Sequence, residues 1–173
     1  MLKGTVGFTT KKGNFISKAI RWFTGSKWSH TFIMYQVEPE PLVVEAGTFE
    51  VLIDLPKKYD THHYVTAYFE PVGFSSEEIE RGIAKVRQKI EVHYGWLQLL
   101  GFIPVVVFRR LFGLKISNPA KGGIICSELV LLFLRALEPG AKWDKMDRNT
   151  TSPEDLFVEI SGHPKFRMLP AES

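Results

Sequence analysis

Apolar positions repeat with two different spacings along this chain, and the change of spacing divides it. In the first half, short runs rich in aromatic and β-branched residues are separated by Gly, Pro and charged clusters, the pattern of half-buried strands. These runs predict strands at Val6 to Thr9, Thr31 to Val37, Leu42 to Ala46, Glu50 to Leu55 and Tyr64 to Phe69, with Glu38-Pro39-Glu40-Pro41 as a turn. One helical repeat interrupts them: Phe15, Ile16, Ala19, Ile20 and Phe23 share a face, with Asn14 placed to cap it and Gly25 to stop it. Later the helical period takes over. Ser75 with Glu78 three residues on is a capping-box signature, and Ile79, Ile83, Val86 and Ile90 carry an amphipathic helix to about His93. A second helix is predicted over the apolar run Leu129 to Leu137, and a short last one from Ser152-Pro153-Glu154-Asp155. Strands first and helices mostly after them make an α+β fold with a small, mainly antiparallel sheet.

No repeat, low-complexity stretch or linker divides residues 1–173, and 173 residues suffice for one core, so a single domain is expected. The net charge of +3 is too small to argue nucleic-acid binding. The basic doublets Lys11-Lys12, Lys57-Lys58 and Arg109-Arg110 are scattered and read as solvated faces. A lone cysteine excludes an internal disulfide. Met1 to Thr10 lacks a signal-peptide pattern, so a reducing cytoplasm is expected, with export by another route left open. Trp96 to Phe108 carries no charge but contains Gly101 and Pro104 and is shorter than the roughly 20 residues of a membrane span.

That one cysteine holds the candidate chemistry. Cys126 follows Lys121-Gly122-Gly123-Ile124-Ile125 and precedes the apolar run, which places it at or near a helix N-terminus. There unpaired N–H groups and the helix dipole favour a thiolate, a nucleophile whose oxyanion product the same N–H groups can receive. The competing reading is a small buried hydrophobe. A nucleophilic cysteine needs a base, and of His30, His62, His63, His93 and His163, His30 stands out because it opens a strand directly after Trp28-Ser29. Glu45 lies in an otherwise apolar strand, out of place unless partnered. An even-length hairpin turn would put His30 and Glu45 on one face, to orient the imidazole as a triad requires. An exposed edge-strand carboxylate is the other possibility.

His30 in Trp28-Ser29-His30-Thr31-Phe32, Glu45 in Val43-Val44-Glu45-Ala46-Gly47 and Cys126 in Ile125-Cys126-Ser127-Glu128-Leu129-Val130 occur in that order. In this arrangement the chain resembles the circularly permuted branch of the NlpC/P60 papain-like cysteine hydrolases, related to lecithin retinol acyltransferase-like proteins. Phe15 to Phe23, Tyr94-Gly95-Trp96 and Thr151-Ser152-Pro153-Glu154-Asp155-Leu156 are similar to that group as well. One departure is Thr5 after Gly4, where such proteins often carry Gly-Asp.

The resemblance implies a permuted papain-like fold and hydrolysis of an amide or ester bond. Cys126 would be the nucleophile, His30 the proton shuttle and Glu45 the orienting group, with Tyr94 and Ser127 at the oxyanion or pocket. It implies no cofactor and no metal, and a small peptide or acyl-containing substrate. Cell-wall peptides are the first expectation and lipids the alternative. For a lipid, residues 96–112 would supply an apolar wall or a peripheral lipid contact. A binding module that kept the fold and lost the activity is a further reading. A metal site from Cys126, His62 and His63 ranks last, because that spacing matches no standard ligand set.

Overall fold

The computed structural model of the protein describes residues 1–13, 17–18, 21–22, 25–46, 51–54, 56–59, 61–90, 125–148 and 150–170. Its frame is a six-stranded sheet in which every described pairing is antiparallel. The strands are β1 (Val6–Lys11), β2 (His30–Gln36), β3 (Leu42–Ala46), β4 (Val51–Asp54), β5 (Tyr64–Glu70) and β6 (Arg167–Met168), in the spatial order β4-β3-β2-β1-β5-β6. The expected strands are all present. β6 was not anticipated, since two residues carry no period of their own. It forms because Met168 and Arg167 meet Phe69 and Glu70 at the open edge of β5, where the Arg167 guanidinium bonds the buried Glu70 carboxylate at 2.7 Å.

Alternation along the strands separates two apolar clusters. Val6, Phe8, Ile33, Val44, Ala46, Ala67 and Phe69 face the helices, while Phe32, Met34 and Val43 face the other way with Tyr59, Tyr64 and Tyr68. Gly7 makes this second face possible. It sits opposite Phe32, whose ring lies so close over β1 that a Cβ on Gly7 would come within 2.2 Å of it.

Three helices cover the first face: α1 (Ser76–Arg87), α2 (Cys126–Leu137) and α3 (Pro153–Ser161). α1 begins with the predicted capping box, Ser75 accepting from the Glu78 N–H and Glu78 from the Ser75 N–H. It is shorter than expected: the helix ends at Arg87 with Gln88 as cap, and Ile90 packs against the core from a turn instead. α3 starts where Ser152-Pro153-Glu154-Asp155 predicted, and its cap is a second capping box, with Ser152 and Asp155 as partners and Pro153 in its first position. α2 is the central helix, with nine of its twelve residues buried. Fully buried side chains such as Leu129, Phe133 and Leu134 stabilise by about 1.5–3 kcal/mol each. α2 approaches α1 closely at Gly82, where a Cβ would meet the Phe133 ring at 2.7 Å. Of the helix expected from Phe15 to Phe23, residues 17–18 and 21–22 are helical and the others lie outside the described residues. Gly25 takes the positive φ of a helix stop, +63°. Among the described residues no helix is long and apolar enough to cross a membrane.

Candidate active site

β2 and β3 pair with Phe32 opposite Glu45, Ile33 opposite Val44 and Met34 opposite Val43. Even-numbered positions thus meet odd-numbered ones, and His30, two residues before Phe32, projects from the same face as Glu45. The two are diagonal neighbours, a separation that long side chains span. His30 Nε2 and Glu45 Oε2 are 2.7 Å apart. β3 is interior to the sheet, with β4 beyond it, and Glu45 is 2% exposed, so the edge-carboxylate reading does not hold.

A carboxylate this buried needs donors on both oxygens. The short 3-10 turn Pro56–Lys58 after β4 supplies them. Lys58 Nζ bonds Oε1 of Glu45 and reaches Asp54 Oδ2 at 2.6 Å, and the Tyr59 hydroxyl donates to Oε2, the oxygen that His30 also uses. Burial alone would raise the Glu45 pKa. The hydrogen bond and charge of His30, together with Lys58 and Tyr59, overcome that and hold it down at about 2. Sequence reasoning missed both residues. Lys58 belonged to a doublet read as solvated, and only Lys57 is exposed; Lys58 is half-buried. Tyr59 is 5% exposed and stacks on Phe32 with ring centroids 4.5 Å apart and planes 3° from parallel.

Cys126 opens α2, as its position before the apolar run predicted, and hydrogen-bonds His30. With Nε2 given to Glu45, the ring nitrogen left for sulfur is Nδ1. Burial pushes the Cys126 thiol up, but the hydrogen bond and charge of His30, aided by the main chain of Thr31, outweigh it and hold the thiol below its ordinary range. His30 shows the reverse: burial lowers it, and its bonds to Cys126 and Glu45 raise it to about 10. Both shifts favour the ion pair of a thiolate beside an imidazolium. Cys126 is 8% exposed, whereas the His30 side chain is 24% exposed and is the more open of the two.

The start of α2 differs from the other helix starts. α1 and α3 close their first turns with capping boxes, but the residue before Cys126 is Ile125, which has no side chain to donate or accept. The N-cap side chain therefore does not compete there for an anion. Ser127 is inside this first turn and 1% exposed, and Glu128, equally buried, is bound at 2.8 Å by Arg148. Tyr94 and residues 96–112 lie outside the described residues. His62 and His63 lie against each other in the turn before β5, with ring centroids 3.8 Å apart and planes tilted by 42°. Among the described residues no group of three or more His, Cys, Asp or Glu side chains could hold a metal ion, so Cys126, His62 and His63 do not form one.

No family model and no curated protein matches the chain. A solved structure does: a protein of Escherichia coli O157:H7 described as the metalloprotein yiiX, DUF1105. It is 18% identical, with a TM-score of 0.55, over 98% of this chain and 97% of that one. At that identity the likeness is one of fold.

Proposed function

We propose that the chain is a cysteine hydrolase of the circularly permuted NlpC/P60 papain-like type, cleaving an amide or ester bond, with a short cell-wall peptide as its first substrate class. The observation that carries this is the chain of contacts from the Cys126 sulfur through the His30 ring to the buried Glu45 carboxylate, assembled from α2, β2 and β3.

In this reaction the thiolate attacks the carbonyl carbon, and the electron pair of the carbonyl moves to oxygen. The first-turn N–H groups of α2, uncapped by Ile125, receive that oxyanion. Collapse breaks the bond to the amine or alkoxide, which takes its proton from the His30 imidazolium. The neutral imidazole then removes a proton from water, whose hydroxide attacks the thioester. The acid leaves, and thiolate and imidazolium are restored. Glu45 holds the ring and stabilises its charge throughout. The related E. coli structure is described as a metalloprotein, but the side chains described here form no such group, and each step is written on Cys126, His30 and Glu45 alone.

The preference for a cell-wall peptide rests on the resembled family and on scattered lysines and arginines that suit a small polar substrate's carboxylates. The test is incubation with muropeptides and, separately, with acyl esters and N-acyl amides, with Cys126→Ala as control and products read by mass spectrometry. Cysteine-dependent muropeptide cleavage is expected. Release of fatty acid alone would transfer the proposal to a lipid-directed acyl hydrolase. Turnover of neither set, with Cys126 also slow to alkylate at neutral pH, would leave a binding module.

A further inference from the structure

Glu45 has more donors than a triad needs. His30 and Tyr59 both use Oε2, and Lys58 occupies Oε1. Each added donor is itself fixed. Tyr59 is clamped between the Phe32 ring, stacked at 4.5 Å, and the edge of Tyr64 at 5.3 Å. Lys58 is pinned between Glu45 and Asp54 and lies 5.0 Å over the Tyr59 ring.

We infer that Lys58 and Tyr59 are positioning residues for Glu45: they divide its negative charge with His30, leaving the imidazole able to hand its proton to a leaving group. The inference rests on the triad reading above. A buried carboxylate that answered to His30 alone would give the imidazolium its full charge, and an imidazolium stabilised that far is a poor acid. Two further donors draw part of that charge away. Removal of either leaves Glu45 with two partners, so its orientation survives while its electrostatics change. Among the described residues, the charged and titratable groups that act on the His30–Glu45 pair are Cys126 from α2 and Lys58 and Tyr59 after β4, and those donors in turn face Asp54 of β4 and Tyr64 of β5. Lys58 is raised by its bonds to Asp54 and Glu45 against the lowering effect of burial, and burial beside Glu45 pushes Tyr59 far up. Both therefore keep their protons across the working range.

The experiment uses the full chain with ¹⁵N-labelled histidine, the His30 resonance being assigned by its loss in His30→Gln. Imidazolium is followed at pH 10, where the native ring is about half protonated. Iodoacetamide alkylation of Cys126 against pH runs in parallel. Lys58→Met is expected to raise the His30 titration by about one pH unit, the low end of what a close charge does, leaving about nine-tenths of the ring protonated at pH 10. Tyr59→Phe, which keeps the stacked ring, shifts it the same way by about half as much, and Lys58→Arg restores the native value. Lowered thermal stability with an unmoved His30 titration, or a downward shift, overturns the inference and leaves the triad intact. If Lys58→Met does not fold, Tyr59→Phe decides alone. An ordinary His30 titration in the native chain, with alkylation indifferent to His30→Gln, removes the hydrolase reading itself.

Discussion

Among the described residues there are two histidine–glutamate pairs, and only one of them is built like a site. His30 with Glu45 and His163 with Glu138 look alike in outline. Their imidazoles are about equally open, 24% and 21% exposed, and each carboxylate also binds a lysine, Lys58 in one case and Lys165 in the other. The carboxylates differ. Glu45 is 3% exposed in its side chain and takes a 2.7 Å hydrogen bond, whereas Glu138 is 26% exposed and lies 3.1 Å from His163 without the alignment of a hydrogen bond. The second ring nitrogen differs too. In His30 it is the one left for Cys126, and in His163 it accepts a long 3.4 Å contact from the Lys165 main chain. His163 is held by ring contacts, nearly parallel to Phe74 and 4.8 Å from Trp143. An imidazole near a carboxylate is therefore common structural material. A dry carboxylate on one nitrogen and a cysteine on the other are what the proposed chemistry requires.

The largest expected effect comes from removing each histidine in turn. His30 holds the Cys126 thiol below its ordinary range, so His30→Ala should return it there and slow alkylation at pH 6 by on the order of 10²-fold. Hydrolysis should fall by roughly 10³-fold or more. His163→Ala should leave the alkylation profile where it is and instead cost about 1–3 kcal/mol of stability through the emptied aromatic cage. Equal effects on alkylation would mean that the two pairs do not differ as their geometry says.

Replacing the carboxylate is a smaller perturbation. Glu45→Gln keeps the size and one acceptor, so hydrolysis should fall by roughly 10 to 10²-fold, less than in Cys126→Ala. The pH dependence of stability sharpens the point. Glu45 is depressed from its ordinary value of 4.5 to about 2, so its ionised form stabilises the fold fully above the ordinary value. That contribution is lost as pH falls from about 4.5 through about 2. Denaturant melts of the native chain and Glu45→Gln should therefore converge across that window. A constant difference would show that the carboxylate's charge is not what the fold uses.

The difference between the pairs was partly legible in the sequence. Glu45 was conspicuous because it interrupts Leu42-Val43-Val44, and a charge in such a run needs a partner; Glu138 lies in a polar stretch that raises no such question. The shared face of His30 and Glu45 was expected from an even-length hairpin turn, but Gln36 pairs with Leu42 across an odd one, and the register shift after Met34 is what restores the pairing of Phe32 with Glu45. The register itself, set by an irregularity between Met34 and Gln36, was beyond reach. So were Lys58 and Tyr59, because a short 3-10 turn has no hydrophobic period and its contacts are tertiary. Gly7 too looked like any glycine until Phe32 lay across it.

α3 ties the two pairs together, and its N-terminus offers the finest test. Its last turn runs through Gly162 into His163, and its first turn holds the segment that leads into His30. There Glu154 Oε2 accepts the Lys27 N–H at 2.7 Å and lies 3.0 Å from the Ser26 hydroxyl, while Ser26 also braces the Trp28 main chain. Trp28 gives this segment an independent hold, 1% exposed and packed 5.2 Å from Phe157 of the same helix. Glu154→Ala should therefore slacken the approach to His30 without releasing it. The expected loss is about 1 kcal/mol of stability, the scale of one or two hydrogen bonds. Alkylation at pH 6 should slow by only about two- to fivefold, the effect of a small displacement of the ring. The same stability loss with alkylation unchanged would mean that α3 supports both histidines only as scaffold. A loss of alkylation near that of His30→Ala would mean that the Ser26–Trp28 segment, rather than the β2–β3 pairing, sets where His30 stands.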